Sequence, residues 1–210
     1  MLLGSVLITL ASLVYFEPGT VAPFIIEKLP LRFERLWRLA LLVHVPSALV
    51  SFPACILLMT KMVQRRRKLH RWLGRVTGTV VGLLLVPSGF VLALEAKGGV
   101  WVSVGFVLSG LIVWVALVRG VIDARRGRML SHARSMRHLF AQMSVAVTSR
   151  TLLVLLDLGG MDPNLAYVLA LWVPVLGSAL IAEALSGSLP RFSLSSPRVS
   201  SPQVALRSPS

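Results

Sequence analysis

The chain has 210 residues, 55% of them hydrophobic and 14% charged, with a net charge of +14 and a mean hydropathy of +0.79. Apolar runs of about 20 residues recur along it, the length a helix needs to cross a hydrocarbon core about 30 Å thick, and this excludes an ordinary soluble domain. A pI near 11.7 suits nucleic acid in general, but the Lys and Arg are concentrated in two short stretches between apolar runs, so no nucleic-acid partner is expected.

Span one is read over residues 2–16, within "MLLGSVLITLASLVYF". It lacks the positive start and small-residue cleavage site of a secretory signal and is taken as a retained span. The charged, proline-bearing segment to about residue 36 is expected outside the bilayer. Span two follows over 37–60 and span three over 72–94. The turn "EAKGG" leads to span four over 100–120. Span five covers 136–156, and "DLGGMDPN" turns the chain into span six over 165–185. The expected fold is all-α, a polytopic transmembrane helical bundle of about six spans within residues 1–186. Residues 187–210, rich in Ser, Pro and Arg, are expected to form a disordered cytoplasmic tail.

One basic stretch holds Lys61, Arg65, Arg66, Arg67, Lys68, Arg71 and Arg75, and the other Arg119, Arg125, Arg126, Arg128, Arg134 and Arg137. Read as loops and placed inside by the positive-inside rule, they put both termini in the cytoplasm. Glu17, Glu27, Glu34, Glu95, Asp157 and Asp162 then fall on the opposite side.

Polar residues inside the spans are the candidates for chemistry. On span two, His44, Ser47, Ser51 and Cys55 share one helical face, which should turn toward protein. His44 is read either as a packing residue with interhelical hydrogen bonds or as a ligand or cofactor site. Gly74, Gly78 and Gly82 recur every four residues on span three and mark a close-packing face. In "PSG", residues 87–89, Pro87 removes a backbone donor and should bend that helix.

His132 and Arg150 are eighteen residues, or five turns, apart on span five and lie on one face with Met136, Leu139, Met143 and Val147. Arg150 is read as functional, or as snorkelling toward Asp157. His70, His132 and His138 belong near the cytoplasmic edge. His70 facing His132 or His138 suits the axial ligation of haem b; the bland alternative is contact with anionic lipid headgroups.

The single cysteine, Cys55, excludes intramolecular disulfides, thiolate zinc sites and cysteine-bound iron–sulfur clusters. The sequence contains no HExxH, P-loop or GxSxG and no carboxylate pair within a span, which argues against a hydrolase, a transferase or a carboxylate proton relay.

The segments "LVHVPSALVSF", "KLHRWLGRV", "SGFVLA", "GFVLSGLIVW" and "SHARSM…VTSR" follow one another over roughly residues 40–150 much as in the predicted bacterial membrane proteins grouped as domain of unknown function 2306, and the chain resembles that family. "LHRWLGR" is the most specific part. The positions that match the family pattern are His44, His70, Arg71, Trp72, Gly74, Arg75, His132 and Arg150. The chain departs from the pattern at Thr77, where the family tends to have an aromatic, at Ser135, where it tends to have Trp, and at His138. The resemblance implies a multi-pass protein of the bacterial cytoplasmic membrane and supplies no reaction. "LHxWLG" is also similar to an element of small two-haem membrane cytochromes. Haem b electron transfer through His70 and His132, with quinone or a redox partner, is the expectation with most chemical content. A non-redox sensor, partner-binding subunit or small-solute carrier, its basic stretches on anionic headgroups, is the alternative.

Overall fold

The computed structural model describes residues 32–187. The expected first span and the Ser/Pro/Arg-rich tail lie outside the described residues. Helix α1 runs Glu34–Met59, α2 Lys61–Arg65, α3 Arg67–Val80 and α4 Val86–Ala93. α3 and α4 are one rod joined by a π-helical turn over Val81–Leu85. α5 is Val100–Arg125, α6 Met129–Leu158 and α7 Pro163–Gly187. No strand occurs among the described residues. Among the described residues, five rods are long and apolar enough to cross a membrane: α1, the α3–α4 rod, α5, α6 and α7.

Local chemistry sets the ends. Glu34 opens α1 and pairs with Arg38 one turn on, at 2.7 Å, the sign the helix dipole favours at an N-terminus. Thr60 both stops α1 and starts α2: its hydroxyl donates to the Leu57 carbonyl at 2.6 Å and accepts from the Val63 amide. Gln64 donates to the Leu58 and Met59 carbonyls, which have no intrahelical partner at a helix end. The turn between α5 and α6 is closed by Arg128 on Asp123 at 2.5 Å and needs Gly127 in the left-handed region, at φ +73°. Asp162 caps α7 by accepting from the Leu165 amide at 3.0 Å.

The helices exceed the expected spans mainly where they are charged. The two basic stretches are not loops. The first is α2 and the first turns of α3; the second is the ends of α5 and α6, with only residues 126–128 between them. Arg and Lys are good helix formers whose stems lie along apolar surface while their heads reach water, so a helix need not stop where the hydrocarbon does.

Consecutive rods pack antiparallel. α5 and α6 are central: α4 and α6 flank α5, α7 packs against both, and α1 packs on the α3–α4 rod. One apolar core joins Phe52 and Cys55 of α1 to Val81, Leu85 and Val86, to Val113 and Ala116 of α5, and to Leu139 and Met143 of α6. A second joins Val102, Val145, Leu171 and Val175 of α5, α6 and α7.

Gln142, 2% exposed, ties the second group together. Its amide nitrogen donates to the Val175 carbonyl at 2.9 Å and to Ser178 Oγ at 3.0 Å, and its oxygen accepts from Ser109 at 3.0 Å. The glycine face of span three is a packing face, as expected, but it receives side chains: a Cβ at Gly78 or Gly82 would lie 3.4 or 3.1 Å from Leu117, and one at Gly74 3.9 Å from Leu58.

Candidate functional site

Two groups of polar side chains stand out, one at the basic end of the bundle and one in its opposite half. At the basic end, His70 sits in the first turn of α3 and His132 in the first turn of α6. His132 Nδ1 lies 2.8 Å from the Gly120 carbonyl of α5. A carbonyl can only accept, so Nδ1 carries the proton and Nε2 keeps its lone pair. The close α5–α6 approach depends on Gly120, where a Cβ would overlap the Met136 methyl and lie 3.3 Å from Ser135 Cβ. His70 and His132 lie at the same, basic end of the fold, where α3 and α6 begin. His70 Nδ1 is buried and has no hydrogen-bond partner.

The neighbours of His70 separate by exposure. Arg71 and Arg75 are exposed, with Arg71 Nε 3.3 Å from the Arg67 carbonyl, and Trp72 is 63% exposed on the outer face. His138 does not join the pair. Its Nε2 lies 3.0 Å from Glu183 of α7, which Arg134 also engages. Among the described residues there is no group of three or more His, Cys, Asp or Glu arranged to hold a metal ion; the donor set here is two imidazoles.

In the opposite half, the α1 stripe turns inward as its pattern required: Ser47, Ser51 and Cys55 are buried and His44 is half-buried. His44 Nδ1 lies 3.0 Å from the Leu85 carbonyl and 3.2 Å from Ser88 Oγ, so Nδ1–H is shared between two acceptors on the α3–α4 rod. Ser88 donates its own proton to the Leu84 carbonyl at 2.5 Å. The imidazole lies close against the helix because Gly89 is there: a Cβ would stand 3.1 Å from His44 Cε1.

At Pro87, where a bend is expected, the structure has a π turn just before the proline. Pro87 has no N–H to give the preceding turn, and the chain switches to a wider turn in which the Val86 amide reaches the Val81 carbonyl. Arg150 of α6 bonds the Ala146 carbonyl at 2.7 Å and stands within electrostatic range of His44. Its guanidinium is therefore engaged one turn back along its own helix, in the direction away from Asp157. Gln142 is the polar residue that spacing arguments overlooked; the available signal was an amide in mid-span on the face of Leu139 and Met143.

A family model described as predicted membrane protein, domain of unknown function 2306, matches residues 41–186. The chain belongs to that family. The match continues past span five to the end of α7, so the family fold takes in all five rods, with α1 joining it from residue 41. His44, Ser88 and Gly89, which lie in two separate segments that resemble the family, are in contact in the fold, as are His132 and Gly120. No curated protein and no solved structure matches the chain.

Proposed function

We propose that this multi-pass membrane protein is an electron-transfer component of the bacterial cytoplasmic membrane, in which His70 and His132 would hold a haem b at the basic end and electrons would pass to or from a quinone or redox partner. The observation that carries the reading is the convergence of these two imidazoles from separate helices. His132 is held in the tautomer a metal ligand needs, its Nδ1–H on a backbone carbonyl and its Nε2 lone pair available. His70 brings a buried nitrogen for which the fold provides no partner. A bound haem would supply a one-electron couple, its potential tuned by the polarity and charge around it. Arg71 and Arg75 add positive charge beside His70, suited to the carboxylates of such a group, and Trp72 suits the membrane interface.

The basic end is assigned to the cytoplasm because α2, the start of α3 and the α5–α6 turn concentrate Lys and Arg there. In a Cys55→Ser background, a cysteine replacing Arg126 should resist an impermeant maleimide added to intact cells. Rapid labelling there would reverse the assignment.

Protein purified from haem-replete cells should show a Soret band that shifts on dithionite reduction and is lost in both His70→Ala and His132→Ala. A colourless protein, negative by pyridine hemochrome assay, would sink the redox reading.

One feature favours the non-redox alternative, a sensor or partner-binding subunit seated on anionic lipid. A groove of about 540 Å³ between α6 and α7 is apolar along most of its length and has Arg137 at its basic end. Arg137 donates to the Leu185 carbonyl at 2.7 Å and pairs with no carboxylate among the described residues. This reading requires phosphatidylglycerol to bind more tightly than phosphatidylcholine by native mass spectrometry, with the preference lost in Arg137→Gln. Equal binding of the two lipids would remove its support.

A further inference from the structure

Five hydroxyl side chains are buried among the described residues: Ser47, Ser51, Thr77, Ser88 and Ser144. Three satisfy themselves in the usual helical way, donating to a carbonyl three or four residues back: Ser47 to Val43, Ser88 to Leu84 and Ser144 to Ala141. Ser51, 0% exposed, and Thr77, 5% exposed, do not; neither hydroxyl has any hydrogen-bond partner. A buried hydroxyl that ignores its own helix and finds no other protein group is unusual, because leaving it unsatisfied costs about 1–3 kcal/mol.

The placement of the two is not random. Ser51 lies on the face of α1 that carries His44, seven residues away, and Thr77 lies on the face of α3 that carries His70, also seven residues away. Two contacts fix how these faces meet. Gly74 stands opposite Leu58, and His44 reaches the Leu85 carbonyl. Ser51 is seven residues from Leu58 and seven from His44, midway along the seam. At about 1.5 Å per residue, each seven-residue step is roughly 10 Å. The unpartnered atoms Thr77 Oγ1 and Ser51 Oγ, together with the buried, unpartnered His70 Nδ1, therefore form a row from the basic end toward His44. Among the described residues, no hydrogen bond reaches His44 Nε2.

We propose that a file of ordered water occupies the seam between α1 and α3, satisfies Thr77 and Ser51, and connects His44 to the solvent at the basic end by way of His70. Each water or hydroxyl accepts one proton and passes another on, so a proton entering near His70 emerges at His44 with no net change in the groups between. The charged and titratable groups facing this path are His132 at the His70 end, Cys55 beside Ser51, and Arg150 at the His44 end. A proton path from the basic end to His44 thus needs no intramembrane carboxylate, and it operates whether or not His70 also serves a haem.

The test is deuterium exchange at the imidazole C2–H of each histidine, followed by mass spectrometry on the full-length protein in nanodiscs. Exchange at His44 is expected in the wild type and is expected to be lost in the double variant Ser51→Ala/Thr77→Val, with His138 unchanged in both. Ser51→Thr/Thr77→Ser, which keeps both hydroxyls, should retain it. No exchange at His44 in the wild type, or exchange that survives loss of both hydroxyls, overturns the proposal. Thermal melting gives an independent sign. A hydrated seam predicts that the Ala/Val double variant melts lower than wild type, and a higher melting temperature, the result for two hydroxyls stranded in a dry seam, also overturns it.

Discussion

His44 and His70 sit on facing helices of the same bundle, yet the fold treats them in opposite ways. His44 is held by a backbone carbonyl and a serine, beside a glycine that leaves room for its ring. His70 is set among arginines with its Nδ1 buried and unmatched. The first arrangement explains itself as structure: a polar ring inside the apolar part of a bundle is retained by satisfying it. The second does not, because a buried nitrogen without a partner weakens the fold that contains it. A side chain whose burial works against stability is better explained by what it binds than by what it supports.

That contrast can be broken by three substitutions. The largest effect is expected at the satisfied histidine. His44→Ala removes the link between α1 and the α3–α4 rod and leaves space beside Gly89, and it should lower stability by about 2–3 kcal/mol, measured by reversible unfolding in bicelles. A loss below about 0.5 kcal/mol would show that the Leu85 and Ser88 contacts are incidental. Gln142→Leu comes next. It removes three bonds to two neighbouring helices at once but fills much the same volume, and a loss of about 1–2 kcal/mol is expected. An unchanged melting temperature would mean that Ser109, Ser178 and the Val175 carbonyl find equivalent partners without it.

The smallest effect belongs to His70→Leu. In protein freed of any bound cofactor it should leave stability within about 0.5 kcal/mol of wild type, since the fold gives His70 Nδ1 no protein partner to lose. A destabilisation comparable to that of His44→Ala would erase the distinction between the two sites and return His70 to a structural role.

Much of this was legible in the sequence. The five described spans, the inward face of His44, Ser47, Ser51 and Cys55 and the glycine face of span three follow from apolar length and helical spacing, both of which are properties of single helices. What spacing could not give was partners. His44 is secured by the carbonyl of Leu85, and any residue at position 85 would present one. Gln142 is a lone amide on an apolar face, and only the helices on either side supply its carbonyl and two hydroxyls. The basic stretches were misread as loops for a different reason: hydropathy reports where hydrocarbon ends, while helices end where caps and turns end them, as at Thr60 and Gly127.

The π turn over Val81–Leu85 has a consequence for the whole rod. A wide turn accommodates one additional residue, and one residue in an α-helix is about 100° of rotation. The turn lies between His70 and Ser88, so it sets the angle at which one end of the rod is presented relative to the other. With one residue removed and the rod regularised, a chain that still aimed His70 toward His132 would swing Ser88 and Gly89 away from α1 by more than a quarter turn. The five residues beside Pro87 thus set the phase between the two ends of a single rod.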